Sequence, residues 1–291
     1  MKYGLLFHYW MDRADAKCDY LEVARKIKKA GFDVIEIDGG DLYRMGGVEI
    51  DRLRSAVEDL GLEVSVNCGP SKETDFASTD PAVRQNGVRY FSDILRQMKR
   101  LGSKTLIGGL CTAWPVDWNL EYDKAVSWRN SVNSLRELCK VAEELGITIH
   151  LEVLNRFESY IVNDTAEGLR YLDEVGSPNL KLLLDTFHMN IEEDSLPGAI
   201  RLAGRKVGHL HLGEGNRKLP GLGSLPWAEM GQALRDVHFD GFAVIEPFML
   251  QNGPFGKPVH LWRDFVPGVT PEQYDQMLLD SLAFLKKNLG A

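Results

Sequence analysis

The sequence has few cysteines, no long apolar run and no excess of basic residues. Its four cysteines are widely scattered, with neither a CxxC pair nor zinc-finger spacing, so we expect reduced thiols in a cytoplasmic protein. No apolar stretch approaches the roughly 20 residues that a membrane span needs, and the N-terminus lacks a signal-peptide layout. With 34 basic and 42 acidic residues, the net charge of −8 argues against a nucleic-acid partner.

One unit recurs along the chain: an amphipathic, charged stretch, then a glycine, then a short β-prone run. A glycine just past a helix end can take the left-handed conformation that closes the last turn, so each one indicates a helix end followed by a strand. With a first strand at the N-terminus, seven such junctions predict eight strands. The seven glycines are Gly31, Gly61, Gly102, Gly146, Gly176, Gly204 and Gly241.

The predicted strands alternate with helices, without a linker or a change in composition across the 291 residues. Helix starts agree, because Asp80-Pro81 and Thr270-Pro271 each combine a capping side chain with proline at the first helical position. We therefore predict an α/β fold, a single (β/α)8 TIM barrel domain over residues 1–291, with a doubly wound open sheet as the alternative. The predicted strands are 3–9, 33–37, 62–67, 104–108, 147–152, 181–185, 207–211 and 242–246.

Four acidic or imidazole residues close consecutive predicted strands in the second half of the chain: Glu152, Asp185, His211 and Glu246. The carboxyl ends of barrel strands open on one face, so these four side chains are expected to converge there. Three carboxylates would repel one another unless a divalent cation lay between them. Oxygen-rich ligation with one imidazole suits Mn²⁺, Co²⁺ or Mg²⁺.

Each of these residues, taken alone, is also explained as a helix cap or an ion-pair partner. Four of them at successive strand ends favour the metal site. His209 competes with His211 for the fourth position. We expect the two histidines to point in different directions from their strand, with His211 nearer the mouth of the barrel.

Further polar and aromatic residues lie within loop distance of the predicted mouth. Glu158, His188 and Arg217 each follow a proposed ligand by a few positions, although surface solvation explains Glu158 or Arg217 equally well. Neutral imidazole donates well to hydroxyls and carbonyls, which favours a binding role for His188. Aromatic faces commonly line small-ligand pockets, and we predict this role for Trp114. The other aromatic candidates are Phe7, Trp10 and Phe248.

Longer motifs surround the candidate residues: 151–158 (LEVLNRFE), 184–190 (LDTFHMN), 208–211 (GHLH), 214–217 (EGNR), 246–248 (EPF) and 262–264 (WRD). Together they resemble the ketose 3-epimerases, that is, the D-tagatose and D-psicose (allulose) 3-epimerases among the xylose-isomerase-like barrels. The resemblance spans essentially the whole chain. It implies that the metal is bound by Glu152, Asp185, His211 and Glu246.

The same resemblance implies that Glu158, His188 and Arg217 hold the O1–O3 end of a sugar. The chain departs from the family pattern at two places. Leu6 stands where psicose-type members often have tyrosine, and Asn67-Cys68 replaces a Gly-His pair. Both places lie near the distal hydroxyls of the substrate in the family, so Leu6 and Cys68 become candidate substrate-binding residues and the preferred ketose stays open.

The implied reaction is metal-dependent epimerisation at C3 of a free ketohexose, which interconverts D-fructose and D-psicose or D-tagatose and D-sorbose. One ion, Mn²⁺ or Co²⁺ with Mg²⁺ as a further candidate, would chelate the C2 carbonyl and C3 hydroxyl oxygens and stabilise a cis-enediolate. Glu152 and Glu246 would stand on opposite faces of C3 as an acid/base pair. The family also implies a homodimer or homotetramer.

Four other functions are compatible with parts of the sequence. An aldose–ketose isomerase would use the same metal site on the same scaffold. A sugar-phosphate epimerase would need a cationic phosphate pocket, for which Arg217-Lys218 is the one candidate. A catalytically silent sugar-binding protein would not require two proton-handling glutamates. An endonuclease-like member of the same barrel superfamily would need a basic groove and enough histidines to bind several zinc ions, whereas this chain has seven histidines and a net charge of −8.

Overall fold

A computed structural model describes residues 1–11 and 17–290 of the chain. Its sheet is a closed barrel of eight parallel strands in sequential order, and β1 pairs with β8 to complete the ring. The predicted TIM barrel is therefore confirmed, and the alternative of an open sheet is wrong. The strands are β1 Lys2–Leu6, β2 Val34–Asp38, β3 Glu63–Asn67, β4 Thr105–Gly108, β5 Thr148–Glu152, β6 Leu180–Asp185, β7 Val207–Leu212 and β8 Phe242–Ile245.

Helices connect the strands and form the outer layer of the barrel. The described part of the chain also contains two short 3-10 turns, at Phe7–Trp10 and Gly204–Lys206. The helices are α1 Tyr20–Lys29, α2 Gly39–Arg44, α3 Gly47–Asp59, α4 Pro81–Leu101, α5 Lys124–Leu145, α6 Thr165–Val175, α7 Thr186–Glu192, α8 Leu196–Ala203, α9 Trp227–Asp236 and α10 Pro271–Leu289.

The predicted capping signals act as expected at helix ends. The Asp80 carboxylate accepts from the backbone N–H of Ala82 at the start of α4, and Thr270 forms a reciprocal capping box with Gln273 at the start of α10. Gly102, which ends α4, has a φ of 89° in the left-handed region. Gly241 differs, because it allows the backbone to approach closely: an added Cβ would lie 2.1 Å from the carbonyl oxygen of Gly208.

The first strand is shorter than predicted. We expected residues 3–9, but β1 ends at Leu6 and the following aromatic residues form a 3-10 turn. The N–H of Met11 donates to the carbonyl of His8 and closes this turn. Phe7 and Tyr9 are nevertheless buried. Phe7 packs against Tyr20 and Tyr9 stacks on Tyr274 of α10, so these β-prone side chains pack in the core instead of extending the strand.

The core fills the barrel and the space between the barrel and its helices, and all four cysteines are free thiols. None of the helices formed by the described residues combines the length and apolarity required to cross a membrane. Because all eight strands are parallel, their carboxyl ends open on one face, which we call the mouth. The end of β8 places Glu246 at the mouth, one residue beyond the strand.

Candidate functional site

The four predicted metal ligands converge at the mouth. One ligand atom from each of the four side chains lies within 4.8 Å of the others, and all four residues are buried. Glu152 and Asp185 end β5 and β6, and His211 lies in β7. The parallel barrel thus brings together residues that are far apart in the sequence. They are Glu152, Asp185, His211 and Glu246.

The electrostatics of this cluster favour a bound cation. Burial raises the pKa of Asp185 to about 7 despite the opposing charge of Arg217, and burial also raises the pKa of Glu152. Burial alone would lower the pKa of His211, but Glu246 and the other carboxylates around it raise that pKa well above its ordinary value. The cluster therefore retains protons that a divalent ion would displace.

The four residues of the cluster suit a divalent metal ion that prefers oxygen ligands. Three carboxylates and one imidazole form the cluster, and no cysteine of the chain belongs to it. A donor set of this composition suits Mn²⁺, Co²⁺ or Mg²⁺ rather than a thiolate-preferring metal. Asp185 also caps α7, because its Oδ1 accepts from the N–H of Phe187 at 2.6 Å. The capping explanation and the metal-site explanation therefore both apply to Asp185.

The expectation that His209 and His211 point in different directions is wrong. Both rings lie inside the barrel, with their centroids 5.4 Å apart, and both side chains are fully buried. Residues two apart on a strand share a face, so the two histidines necessarily point the same way. His211 lies at the mouth and belongs to the four-residue cluster, whereas His209 lies one layer deeper.

The sequence reasoning missed Glu36, which lies in the middle of β2. Its carboxylate is fully buried; Oε1 lies 2.9 Å from Nε2 of His211, and Oε2 lies 3.3 Å from Nε2 of His209. The signal was available, because Glu36 is a single acidic residue between Ile35 and Ile37 in an apolar strand. Acidic residues rarely occupy such positions unless they are paired.

A cavity of about 300 Å³ opens above the cluster. Its size and its mixture of aromatic and polar walls are typical of a small-molecule site. The structure thus brings every predicted substrate-binding residue to one cavity. Those that line it are Leu6, Cys68, Trp114, Glu158, His188 and Arg217, together with Glu152 and Glu246. Lining residues not predicted for this role include Asp38, Asn67, Tyr90, Phe255 and Val259.

The aromatic candidates divide between the cavity and the barrel surface. Trp114 lines the cavity, as predicted, and its Nε1–H donates to Oε2 of Glu158 at 3.2 Å. Phe7 and Phe248 line it as well. Trp10 does not, because its indole N–H donates to Asp275 of α10.

Glu158 and Arg217 join two loops across the cavity. Nη2 of Arg217 donates to Oε1 of Glu158 at 2.9 Å, while its Nη1 lies 3.6 Å from carboxylate oxygens of Asp185 and Glu246. The guanidinium also lies 3.7 Å from the ring centroid of Phe187. A planar guanidinium can form these contacts at the same time, whereas a lysine ammonium cannot.

His188 is held as a neutral ring with its proton on Nε2. The backbone N–H of Asn155 donates to Nδ1 of His188 at 3.2 Å, so Nδ1 must be an acceptor. Burial lowers the pKa of His188 well below its ordinary value, and Arg217 acts in the same direction. The ring can therefore donate from Nε2. Sequence reasoning did not identify Asn155, because this contact depends on the conformation of the loop after β5.

The structure is a closed (β/α)8 barrel with a cluster of potential metal ligands beneath a small polar cavity. This combination is typical of enzymes that act on small molecules. A family model described as xylose isomerase-like TIM barrel matches residues 24–285. The chain belongs to this family. The predicted fold and the predicted family are thus both confirmed.

Relatives place the chain within a narrower group. The D-psicose 3-epimerase of Ruminiclostridium cellulolyticum is 41% identical over 284 residues, which cover 98% of this chain and 96% of the relative. The D-psicose 3-epimerase of Agrobacterium fabrum is 39% identical, with full coverage of both chains. A crystal structure of D-psicose 3-epimerase with D-tagatose from Clostridium cellulolyticum H10 has a TM-score of 0.96, 40% identity and full coverage. The chain belongs to the ketose 3-epimerases, which are isomerases acting on carbohydrates.

Proposed function

We propose that this protein is a metal-dependent ketose 3-epimerase that inverts C3 of free ketohexoses. The central supporting observation is that Glu152 and Glu246 both line the cavity and both belong to the cluster of potential metal ligands. The names of the relatives give independent support, since they are D-psicose 3-epimerases. The proposed substrate pairs are D-fructose with D-psicose and D-tagatose with D-sorbose.

The metal would be held by the three carboxylates and the imidazole of the cluster. When bound, Mn²⁺, Co²⁺ or Mg²⁺ supplies Lewis-acid polarisation of the C2 carbonyl and stabilises negative charge on the sugar oxygens. The ligands would be Glu152, Asp185, His211 and Glu246.

Glu152 and Glu246 would move the protons at C3. One carboxylate removes the C3 proton to give a cis-enediolate, and the other returns a proton to the opposite face of C3, with exchanged roles in the reverse reaction. The two side chains flank one atom: Nδ1 of His211 lies 3.1 Å from Oε1 of Glu152 and 3.4 Å from Oε2 of Glu246. In the metal-free protein burial raises the pKa of Glu152, and a divalent cation bound to this carboxylate would lower that pKa again.

Arg217, His188 and Glu158 would orient the O1–O3 end of the sugar. The neutral His188 ring donates from Nε2, and Arg217, which lies beside Asp185 and Glu246, supplies positive charge that would stabilise the negative charge developing on the sugar oxygens during proton removal. Glu158 accepts from Arg217 and Trp114, so its carboxylate is fixed before the sugar enters. This preorganisation reduces the loss of side-chain freedom on binding.

Leu6 and Cys68 would contact the distal hydroxyls of the ketose. Both line the cavity, and both are apolar or weakly polar where the family pattern often has tyrosine and histidine. Burial raises the pKa of the Cys68 thiol to about 12, so the side chain is uncharged near neutral pH. Asp38 and Asn67 supply the stronger polar groups on the same side of the cavity.

The cavity favours a free sugar over the alternatives. Among the described residues that line it, Arg217 is the only lysine or arginine, and its guanidinium is already paired with Glu158. A sugar phosphate would therefore lack a free cation. A sugar-binding protein without catalysis would not need two carboxylates beside one reacting carbon. An aldose–ketose isomerase uses the same chemistry at C1 and C2, and only the product distinguishes it.

The activity test uses protein stripped with a chelator and reloaded separately with Mn²⁺, Co²⁺ or Mg²⁺. Each form is incubated with D-fructose, D-psicose or D-tagatose, and the products are assigned by NMR. We expect the C3 epimer of each active sugar, and only after metal is added. An aldose product would change the assignment to isomerase. No turnover of any free ketose by protein that binds metal would contradict the proposal.

Three further features of the chain stay predictions. They are the organisation of residues 1–291 as one domain, the assembly as a homodimer or homotetramer, and the cytoplasmic location. Light scattering coupled to gel filtration measures the second of these directly, because two or four copies of a 32.7 kDa chain differ clearly in mass from one.

A further inference from the structure

A carboxylate lies inside the barrel, below the proposed metal site, where no step of the proposed reaction uses it. Barrel interiors of this class are normally filled by branched apolar residues. Glu36 is fully buried there, on β2, in register with Leu6 of β1 and Ser65 of β3. Burying a carboxylate is costly unless its oxygens are paired, so Glu36 depends on polar partners inside the barrel.

Both oxygens of Glu36 have polar neighbours. Oε2 accepts from the hydroxyl of Ser65 at 2.7 Å and lies 3.3 Å from Nε2 of His209. Oε1 lies 2.9 Å from Nε2 of His211, and the amide of Asn67 is 3.5 Å from the same oxygen. Since Ser65 and Asn67 hold the carboxylate in place, its position relative to His211 is fixed by two neighbouring strands.

The two nitrogens of His211 face different partners. Nδ1 faces the mouth, 3.1 Å from Glu152 and 3.4 Å from Glu246, whereas Nε2 faces Glu36. A neutral imidazole carries one proton. If that proton lies on Nε2 and is donated to Glu36, the lone pair of Nδ1 points into the cluster. Carboxylates that accept from the second nitrogen of a ligating histidine fix its tautomer and raise its basicity.

We propose that Glu36 is a positioning residue for the metal site: it accepts the Nε2 proton of His211, fixes the orientation of the ring and strengthens the Nδ1 donor. This inference rests on the proposed metal-dependent function. It extends the site by one residue from β2, a strand that contributes no direct ligand to the four-residue cluster.

The same atoms admit a different arrangement, in which Glu36, His209 and His211 hold a second metal ion. The hydrogen-bonded arrangement is favoured because Glu36, His209 and His211 do not line the cavity, whereas Glu152 and Glu246 of the four-residue cluster do. All three side chains are also completely inaccessible to solvent. The proposal therefore requires one metal ion per chain.

The test compares the full-length protein with its Glu36→Gln and Glu36→Leu variants. Glutamine keeps an oxygen that can accept from His211 but removes the negative charge, whereas leucine removes both. Competition with a chromogenic chelator measures the affinity for Mn²⁺, and we expect the order wild type, Gln variant, Leu variant. Loss of such a supporting contact typically weakens metal affinity by about 10–100-fold. Glu63→Gln, on β3 at the other end of the barrel, is the matched control and should bind as wild type.

Two further readouts separate positioning from a merely structural role. In ¹⁵N-histidine spectra of the Mg²⁺-loaded wild-type protein, His211 should be protonated on Nε2, and a proton on Nδ1 would overturn the proposal. Saturating Mn²⁺ should restore most of the kcat of the Gln variant. Equal Mn²⁺ affinity in wild type and both variants, or two ions per wild-type chain, would also overturn it. Wild-type protein that binds no metal would instead refute the proposed function.

Discussion

Nη2 of Arg217 donates to Oε1 of Glu158 over 2.9 Å, and this ion pair links the loop after β7 to the loop after β5 across the cavity. Arg217 has a φ of 64°, in the left-handed region, and its N–H donates to the carbonyl of Glu214. The Glu214 carboxylate in turn accepts from the N–H of Gly221 and from the indole of Trp227. A network of hydrogen bonds thus holds the Arg217 side chain at the cavity.

Arg217→Lys should weaken catalysis even though the charge is kept. Lysine cannot contact Glu158 and both Asp185 and Glu246 at once, nor lie flat against Phe187. The loss of one charged hydrogen bond corresponds to a fall of about 10–100-fold in kcat/KM. Steady-state kinetics with the preferred ketose measure this effect. Arg205→Lys, in the exposed turn before β7, is the control. Unchanged kcat/KM in Arg217→Lys would remove Arg217 from the proposed site.

Glu152→Gln and Glu246→Gln should each abolish most of the epimerisation. Each glutamine keeps an oxygen that can face a metal ion but cannot accept or return the C3 proton. Loss of a general acid or base lowers kcat by about 10²–10⁴-fold. Glu58→Gln, on the exposed face of α3, is the matched control. Since the metal affinity of each variant is measured in parallel, a fall in kcat at saturating metal isolates the proton-transfer role.

The same variants give a sharper test of the two-carboxylate scheme. Each variant retains one intact carboxylate, so it should still exchange the C3 proton of one epimer with solvent while failing to convert it. The two variants should exchange opposite epimers. Proton NMR in D₂O follows the exchange. Exchange of the same epimer by both variants would contradict the placement of the two glutamates on opposite faces of C3.

Metal affinity should rise with pH. In the metal-free protein the pKa of Asp185 is raised to about 7, and that of His211 is raised well above its ordinary value, so both hold protons that metal binding must displace. We therefore expect the metal affinity to depend most steeply on pH below about pH 7.

The raised pKa of Asp185 also affects the stability of the metal-free protein. A carboxyl whose folded pKa is raised contributes to stability below its unfolded pKa, near 4, and that contribution is lost as the pH rises through about 7.

Titration calorimetry with Mn²⁺ in buffers of different ionisation enthalpy counts the protons released. The number should decrease as the pH rises through about 7, since Asp185 then loses its proton before the metal binds. A proton count of zero from pH 5 to 8 would contradict the coupling between Asp185 and the metal. The metal-free protein should also lose stability over the same rise in pH.

Gly231→Ala should destabilise the barrel without touching the site. Gly231 lies in α9, and an added Cβ would lie 2.0 Å from the carbonyl oxygen of Asn288 in α10. Because this neighbour is backbone, the two helices must separate, at a typical cost of about 1–3 kcal/mol. Gly46→Ala, which meets nothing within 4 Å, is the control. Urea unfolding of the metal-free proteins measures the difference, and equal midpoints would refute the close helix contact.

The sequence predicted the residues whose positions follow directly from the barrel. Glu152 and Asp185 end parallel strands, and parallel strands must open on one face, so their convergence required no knowledge of side-chain detail. Glu36 was missed because it lies within a strand, where inward direction depends on register. The error with His209 came from strand alternation, since residues two apart share a face. Asn155 depends on the shape of a loop, which no periodic pattern specifies.

The most direct test of the central claim is the position of solvent hydrogen in the product. The metal-loaded protein is incubated with D-fructose, and separately with D-tagatose, in D₂O, and each product is analysed by NMR. The account predicts that the product is the C3 epimer and carries deuterium at C3 and none at C1. Deuterium at C1 with an aldose product, or a C3 epimer that retains its original hydrogen at C3, would contradict it.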